Sequence, residues 1–282
     1  MKKLLLLFCV ALLTGQLSAQ ITSPQPSPAS TVEQVVGLSN IKLTYSRPAM
    51  RGRNVFGGLV PFGEVWRTGA NANSTFTSDT SFTLDGKEVP AGTYAIFTKP
   101  GSASWEVYFY MKTDNWGAPK TLDQALVAAS MTLKPTAMQD PVESFYMGLE
   151  NITNDGAHLV IEWENTRVAV PFDVPTDAVV MASIDKVLSA TPTLNDYYSA
   201  AVYYLNAGKD LNQATAWVDK AIEMSGDDPK FYMLRQQALI HMANGDKKGA
   251  IKAAKLSLEK SKEAGNMDYV RMNEASLKEW QN

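Results

Sequence analysis

Arginine is concentrated in one irregular stretch of the chain, residues 46–73. This stretch holds four of the seven arginines, Arg47, Arg51, Arg53 and Arg67, and no lysine, although lysine is the commoner cation elsewhere. A guanidinium is a planar fork of donors that pairs with carboxylates or phosphates through two hydrogen bonds and stacks on aromatic rings, whereas an ammonium is a point charge. The choice of arginine therefore favours recognition of an oxyanion.

Other side chains of the same stretch suit an anionic or sugar-like ligand. Trp66 offers a flat face for stacking, Asn71 and Asn73 offer amide groups, and Glu64 is the only acid. Because unpaired charge is costly to bury, the arginines must face solvent, a ligand or acids from elsewhere in the chain. The alternative is structural: guanidiniums also bind loop carbonyls and buried carboxylates, and Trp66 and Phe62 can belong to a core.

A second, weaker candidate is the loop Asp114–Gly117, where Trp116 is of the kind that stacks on sugars. Its alternative is a tryptophan that folds back onto the edge of the domain. Tyr45 and Tyr94 could serve as general acids only if their surroundings changed their pKa.

Paired carboxylates would indicate a different chemistry, the hydrolysis of a glycan, which needs two acids on either side of a cleft. One candidate acid is Glu64. Its partner would be one of four acids, Glu106, Asp114, Glu162 or Glu164. Spacing along the chain does not decide which of these four acids lies opposite Glu64.

Several other chemistries lack the residues that they require. The only two histidines, His158 and His241, lie about eighty residues apart, without zinc-ligand spacing, and no Gly-x-Ser-x-Gly turn is present. The single cysteine, Cys9, lies in a predicted leader, so the mature protein has neither disulfides nor thiolate chemistry. Arg51–Gly58 is rich in glycine but lacks the Gly-Lys-Ser/Thr of a phosphate loop. We therefore expect no cofactor and no metal.

The N-terminus predicts export. Lys2 and Lys3 precede the apolar run Leu4–Leu13, and small residues follow up to Ala19, which is the pattern of a secretory signal over residues 1–19. Its removal leaves 24 basic and 29 acidic residues, a net charge of −5 with no global field for nucleic acid. No later run approaches roughly 20 apolar residues, so we expect no membrane span. The predicted location is periplasmic or secreted.

Residues 20–30 are rich in proline and serine and predict a mobile, extended leader. Short β-like segments follow it, over residues 31–36, 41–46, 74–77, 81–84, 87–89, 93–98, 105–110, 128–134 and 142–149. Because Gly/Pro turns separate them and helical periodicity is nearly absent, they predict an antiparallel β-sandwich or jelly-roll-like domain over residues 31–175.

Two local signals within this domain are specific. Asp85-Gly86 is a two-residue hairpin turn, and Trp105–Tyr110 alternates between apolar and polar positions as a half-buried strand does. At the end of the domain, Ala157–Trp163 and Arg167–Val174 predict a further hairpin.

From residue 176 onward alanine, leucine and lysine rise, and apolar residues recur at helical spacing. We predict helices over residues 177–189, 194–207, 211–225, 229–244, 247–263 and 267–280. Core-like positions recur 36 residues apart, as Ala214 does at Ala250 and Val218 at Ala254. A helix-turn-helix repeat of this period resembles tetratricopeptide repeats, so residues 176–282 predict an all-α domain suited to protein contact.

Several sequence blocks resemble a known family. They are Pro28–Ser30, Tyr45–Pro48, Arg51–Arg53, Phe56–Gly57, Leu59–Pro61, Trp66–Asn71, Pro90–Tyr94 and Asn115–Gly117. Over residues 26–174 the chain resembles the bacterial domain-of-unknown-function family numbered 2911. Members of this family are typically secreted, and some of them end in tetratricopeptide-like helices. The resemblance implies no activity, ligand or catalytic residue. Many members carry tyrosine at the position of Phe62 and glutamate at that of Ala72, so no role for that phenol or carboxylate is implied here.

Together these patterns predict an exported binding module, with an arginine-rich cleft for an anionic or sugar-like ligand and helical repeats that contact a protein partner. The predicted ligand-binding residues are Arg47, Arg51, Arg53, Glu64, Trp66, Arg67, Asn71, Asn73 and Trp116. Two alternatives stay open: a carboxylate-based hydrolase acting on a glycan or envelope polymer, and a structural accessory protein without a small ligand.

Overall fold

The computed structural model describes residues 23–281, which divide between Thr176 and Asp177 into two compact units. The predicted signal, residues 1–19, lies outside the described residues. Within residues 23–281, no helix has both the length and the apolar character that a membrane crossing requires.

The first unit is built from antiparallel strands in two sheets. The strands are β1 Ala29–Val36, β2 Ser39–Ser46, β3 Thr75–Ser78, β4 Phe82–Leu84, β5 Lys87–Val89, β6 Gly92–Lys99, β7 Trp105–Tyr110, β8 Val127–Leu133, β9 Thr136–Glu150 and β10 Gly156–Asp173. One sheet has six strands in the order β1-β2-β3-β6-β7-β8, and the other has four in the order β5-β4-β10-β9. The predicted antiparallel β domain is therefore confirmed.

Alternating side chains of the two sheets form a shared core. On β7, Trp105, Val107 and Phe109 are fully buried, as the sequence alternation predicts. Contacts link the two sheets directly, because the ring of Phe76 on β3 lies 5.3 Å from that of Phe172 on β10, edge to face. Burial of such rings from water is the main stabilising contribution to a unit of this kind.

The Asp85-Gly86 turn is confirmed. Both residues have positive φ, 51° and 74°, and Leu84 pairs directly with Lys87 across the hairpin. Positive φ at both central positions is what a tight turn between right-twisted strands requires, and Asp followed by Gly adopts it readily.

The predicted hairpin between Ala157–Trp163 and Arg167–Val174 is wrong. Both segments belong to one strand, β10, which pairs with β9 from His158 onward. The pairing register shifts on both sides of Glu164, which itself has a φ of 54°. The polar residues 164–166, which resemble a turn in the sequence, therefore lie at two β-bulges. The bulges bend the strand without reversing it.

The second unit is all-α, as predicted. Its helices are α1 Thr176–Leu188, α2 Leu194–Asn206, α3 Leu211–Met224, α4 Phe231–Ala243, α5 Lys247–Glu263 and α6 Met267–Trp280. The recurring positions are core positions, because Ala214, Val218, Ala250 and Ala254 are all completely buried. Small residues at these sites let neighbouring helices approach closely.

A buried histidine links three elements of this unit. His241 on α4 places Nε2 2.8 Å from Asp219 Oδ1 on α3 and Nδ1 2.7 Å from Asp246 Oδ2, just before α5. The hydrogen bond to Asp219, with further help from Asp246, raises the pKa of His241 above its usual value despite burial. A protonated His241 donates to both carboxylates and so links α4 to α3 and to the start of α5.

The helical unit should therefore lose stability as the solution becomes alkaline. Because the pKa of His241 is higher when folded than when unfolded, its contribution is complete below about pH 6.5 and is lost as the pH rises through the folded value. We expect the stability advantage of the wild type over H241Q to be larger at about pH 6 than at about pH 9. Urea unfolding followed by circular dichroism measures this difference. An advantage that is equal at both pH values would contradict the prediction.

Candidate functional site

The arginine-rich stretch, residues 46–73, crosses from one sheet to the edge of the other. It leaves the six-stranded sheet at the end of β2 and then pairs with β9, where Phe145 N donates to Pro48 O at 2.9 Å and Met50 N donates to Glu143 O at 2.8 Å. Beyond these contacts it consists mainly of turns and isolated bridges, as predicted. The irregular stretch thus closes one side of the sandwich.

Its backbone is held in unusual conformations. Arg51, Thr68 and Asn71 have φ values of 51°, 57° and 59°, in the left-handed region that L-residues other than glycine seldom adopt. Thr68 is the most unusual, because it is β-branched; it is fully buried, and its Oγ1 donates to Thr98 Oγ1 at 3.1 Å. Such residues cost about 1–3 kcal/mol each and cluster at functional sites.

A cleft of about 370 Å³ opens beside this stretch, a volume typical of small-molecule sites. Its lining consists of Pro26, Ser27, Pro48, Ala49, Arg51, Arg53, Leu59, Val60, Trp66, Arg67, Gly69, Ala70 and Trp163. Three cations therefore converge on one hollow. Among the described residues that line it there is neither an aspartate nor a glutamate.

Backbone carbonyls hold these three guanidiniums. Arg53 donates from Nε to Met50 O at 2.8 Å and from Nη2 to Ala49 O at 2.7 Å. Arg51 Nη2 donates to Pro26 O, and Arg67 Nη1 donates to Asn71 O, both at 3.1 Å.

Among the described residues, these contacts neither pair the three guanidiniums with an acid nor use most of their N–H donors. Among residues 23–281, no carboxylate oxygen lies within 4 Å of the guanidinium nitrogens of Arg51, Arg53 or Arg67. A guanidinium has five N–H donors, and the contacts above use one or two of them in each side chain. The structural alternative is thus half right, since these guanidiniums bind loop carbonyls but form no ion pair with an acid in the described part of the chain. The carboxylate of Glu143 accepts from the backbone N of Arg51, at 2.9 Å, and not from its guanidinium.

Trp66 belongs both to the core and to the cleft. Its ring stacks on Trp163 at 5.8 Å and meets Phe145 edge to face at 5.3 Å, and its Nε1 donates to Gly69 O at 3.3 Å. The ring is therefore fixed in place with its only donor already bonded. Phe62, in contrast, is 47% exposed, so its assignment to the core is wrong.

Glu164 supports the cleft from outside. Its carboxylate accepts from Val55 N and Phe56 N, both at 3.3 Å, and so anchors the loop that follows Arg53. Glu164 lies in β10 at the point where the pairing register with β9 shifts. Glu164 is thus a positioning residue for the arginine-rich stretch.

The other acids considered for hydrolysis are also engaged elsewhere or lie outside the cleft lining. Glu162 pairs with Arg167, Glu106 accepts from the hydroxyl of Tyr108, and Asp114 lies 3.9 Å from Lys112. Glu64 is exposed. Hydrolysis through such a pair stays a prediction that gains no support from the cleft.

The tyrosines considered as general acids lie outside the cleft lining. Tyr45 is buried in the core. Burial raises the pKa of Tyr94, whose hydroxyl donates to Pro90 O at 2.7 Å. A phenol with a raised pKa gives up its proton less readily, so Tyr94 is poorly suited to acid catalysis at neutral pH.

The predicted site residues thus fall into two groups. Arg51, Arg53, Trp66 and Arg67 line the cleft together. The remaining predicted residues, Arg47, Glu64, Asn71, Asn73 and Trp116, lie outside its lining.

Several of this second group have structural contacts. Arg47 Nε donates to Phe145 O at 3.0 Å, and Asn71 Nδ2 donates to Ser27 O at 3.1 Å. Asn73 is 6% exposed, and neither atom of its amide has a hydrogen-bond partner among the described residues. Trp116 is 80% exposed, so the alternative in which it folds back onto the domain is wrong.

Residues 26–28 were missed by the sequence interpretation, and the expectation of a mobile leader is wrong for residues 26–30. The carbonyls of Pro26, Ser27 and Pro28 accept hydrogen bonds from three residues of the arginine-rich stretch, and β1 already begins at Ala29. The proline-rich composition of this segment resembles that of a linker. Its sequence does not reveal the hydrogen bonds that hold it, because their donors lie far along the chain. The family-like block that starts at Pro28 is the only sequence signal for their inclusion.

Gly69 is required by the turn that follows Trp66. Its φ is 137°, and an added Cβ would lie 2.9 Å from Ser74 Oγ and 3.1 Å from Ser46 O. Gly63 also has a positive φ, 81°, but an added Cβ there meets open space. We expect G69A to lower the free energy of unfolding of the β unit by about 1–3 kcal/mol more than G63A does. Urea midpoints read by tryptophan fluorescence test this, and equal losses would contradict it.

Comparison with protein families gives a match that covers the cleft lining except Pro26. A family model described as "Protein of unknown function (DUF2911)" matches residues 27–172, from the lining residue Ser27 to the end of β10. Comparison with curated proteins and with solved structures gives no match. The matched region is 146 of 282 residues, more than half of the chain. The chain therefore belongs to the DUF2911 family of proteins of unknown function.

Proposed function

We propose that the β unit binds a ligand bearing an oxyanion, such as a carboxylate, phosphate or sulfate group, in the cleft between Arg51, Arg53 and Arg67. One observation carries the proposal: three guanidiniums line one hollow, and none of them forms an ion pair with an acid among the described residues. The function is therefore that of a binding module.

The electrostatics favour an anion in this position. Like charges that share a concave site repel one another and concentrate the local field, which attracts ions of opposite sign. A unit charge 4 Å from a counter-charge gains about 4 kcal/mol at the effective dielectric of a protein surface, against about 1 kcal/mol in bulk water. The positive field is local, because the chain as a whole is acidic.

The site is also pre-organised. The carbonyls of Pro26, Ala49, Met50 and Asn71 restrain the arginine side chains before any ligand arrives. Ordering a long side chain on binding costs about 0.5–1.5 kcal/mol, so restraint in the free protein improves affinity.

We also propose that this binding takes place outside the cytoplasm, in the periplasm or beyond the cell. Support comes from the basic, apolar and small-residue succession of residues 1–19. We further propose that the helical unit contacts a protein partner, since stacked helical hairpins present extended surfaces for that purpose. Within the part of the chain that the structure describes, no specific contact favours the hydrolase alternative.

An anion should stabilise the purified protein through these arginines. At a phosphate concentration of about 100 times Kd, the gain is about 2.7 kcal/mol, or a rise of about 5–10 °C in the melting temperature of a unit of this size. The double variant R51A/R53A should lose most of this rise. Because both side chains are exposed and bind only loop carbonyls, its own stability should fall by only about 1–2 kcal/mol.

The matched control is R271A, which removes an exposed arginine from the helical unit and should keep the full rise. Thermal unfolding in sodium phosphate, sulfate and citrate is compared with chloride at equal ionic strength. The proposal is overturned if no anion stabilises the wild type. It is equally overturned if R51A/R53A unfolds at a much lower temperature yet retains the whole anion effect, which would indicate a structural network.

A further inference from the structure

We infer that the ligand of the arginine cleft is an acidic oligosaccharide, with its charged ring in the cleft and a neighbouring ring against Trp116. The inference rests on the proposed function and names the ligand class of the same site. It follows from three features: the aromatic wall of the cleft, the number of unused donors, and the position of the Trp116 loop beside Arg67.

Part of the cleft wall is apolar and rigid. Its accessible part is formed by the half-buried Trp66 and the exposed Leu59, whereas Trp163 and Val60 are buried. Because Trp66 Nε1 is already bonded to Gly69 O, the ring presents only carbon surface to a ligand. A bare inorganic ion would leave this wall uncovered, whereas the CH face of a sugar ring would cover it. The ligand therefore has a body beside its charge.

The polar part of the cleft has more donors than one oxyanion can use. Counting partners among residues 23–281, Arg51 and Arg67 each retain four of five N–H groups after their carbonyl contacts, and Arg53 retains three. A carboxylate offers about four acceptor positions. The remaining donors can bind further acceptors, which hydroxyl and ring oxygens of a sugar supply and a hydrocarbon chain does not. These two features together favour a sugar acid over a fatty acid or a simple ion.

A second aromatic surface lies on a loop next to Arg67. Ala72, just beyond the left-handed turn at Asn71, forms an antiparallel bridge with Trp116. A Cβ atom added at Gly117 would lie 3.6 Å from Arg67 Nη1, so the loop runs alongside that guanidinium. The Trp116 side chain is 80% exposed, far more than is usual for a residue with so large an apolar surface.

Trp116 therefore suits a ring that extends out of the cleft past Arg67. It lies outside the cleft lining, so it has no role in binding a single acidic sugar. The site is thus matched to at least two linked rings, of which one carries the negative charge.

The test compares probes of increasing size by isothermal titration calorimetry with the purified protein. The probes are inorganic phosphate, glucuronate, a linear trigalacturonate and the neutral trisaccharide maltotriose. We expect trigalacturonate to bind at least about 10-fold more tightly than glucuronate, glucuronate to bind more tightly than phosphate, and maltotriose to bind weakly or not at all.

Variants separate the two aromatic surfaces. W116A should lose about 5–10-fold in affinity for trigalacturonate and none for glucuronate, and W116F should retain most of the affinity. Because Trp116 is exposed, W116A should fold normally. The control L38A removes another exposed apolar side chain, in the β1–β2 turn at the opposite end of β2, and should change neither affinity.

Each outcome bears on a different statement. If phosphate binds and the two sugar acids bind no better, the oligosaccharide inference is overturned and anion binding stands. If W116A binds trigalacturonate as the wild type does, the role of Trp116 is overturned. If maltotriose binds as tightly as trigalacturonate, or if no anionic probe binds, the proposed function itself is overturned.

Discussion

The candidate site depends on one interaction, the binding of guanidinium groups by backbone carbonyls in place of carboxylates. A carbonyl restrains an arginine side chain without cancelling its charge, whereas an ion pair does both. Arg51, Arg53 and Arg67 are each held in this way, by carbonyls that belong to the leader, to the start of the same stretch and to the turn at Asn71. Positive charge is therefore both positioned and available in a chain that is acidic overall.

The scaffold around the cleft explains how an irregular stretch keeps a defined shape. Residues 48–50 pair with the edge of β9, and Glu164 anchors Val55 and Phe56 from a bulge in β10. The left-handed backbone at Thr68 is maintained by a buried hydrogen bond to Thr98. Unfavourable local conformations persist only where their surroundings determine them this strongly, and they are most often found where a ligand binds.

The two units are stabilised by different means. In the β unit, aromatic rings from both sheets contact one another and supply most of the buried apolar surface. In the helical unit, alanines let helices pack closely, and the buried His241, bonded to the partly exposed Asp219 and the exposed Asp246, adds a polar connection that responds to pH. A binding cleft in the first unit and a contact surface in the second are thus compatible proposals, since neither draws on the side chains of the other.

The sequence by itself determined the features that depend on neighbours along the chain. Helix bounds, the Asp85-Gly86 turn, the alternation of β7 and the antiparallel β class all follow from local periodicity and turn chemistry. Tertiary structure alone decided that β10 continues through Glu164, that Pro26 and Trp163 line the cleft, and that Arg47 and Asn73 do not. The reason is physical: these outcomes depend on contacts such as Arg51 with Pro26, 25 residues apart, or Glu164 with Val55, 109 residues apart. Only folding brings such residues together, so a pattern within a short stretch of sequence cannot predict their contacts.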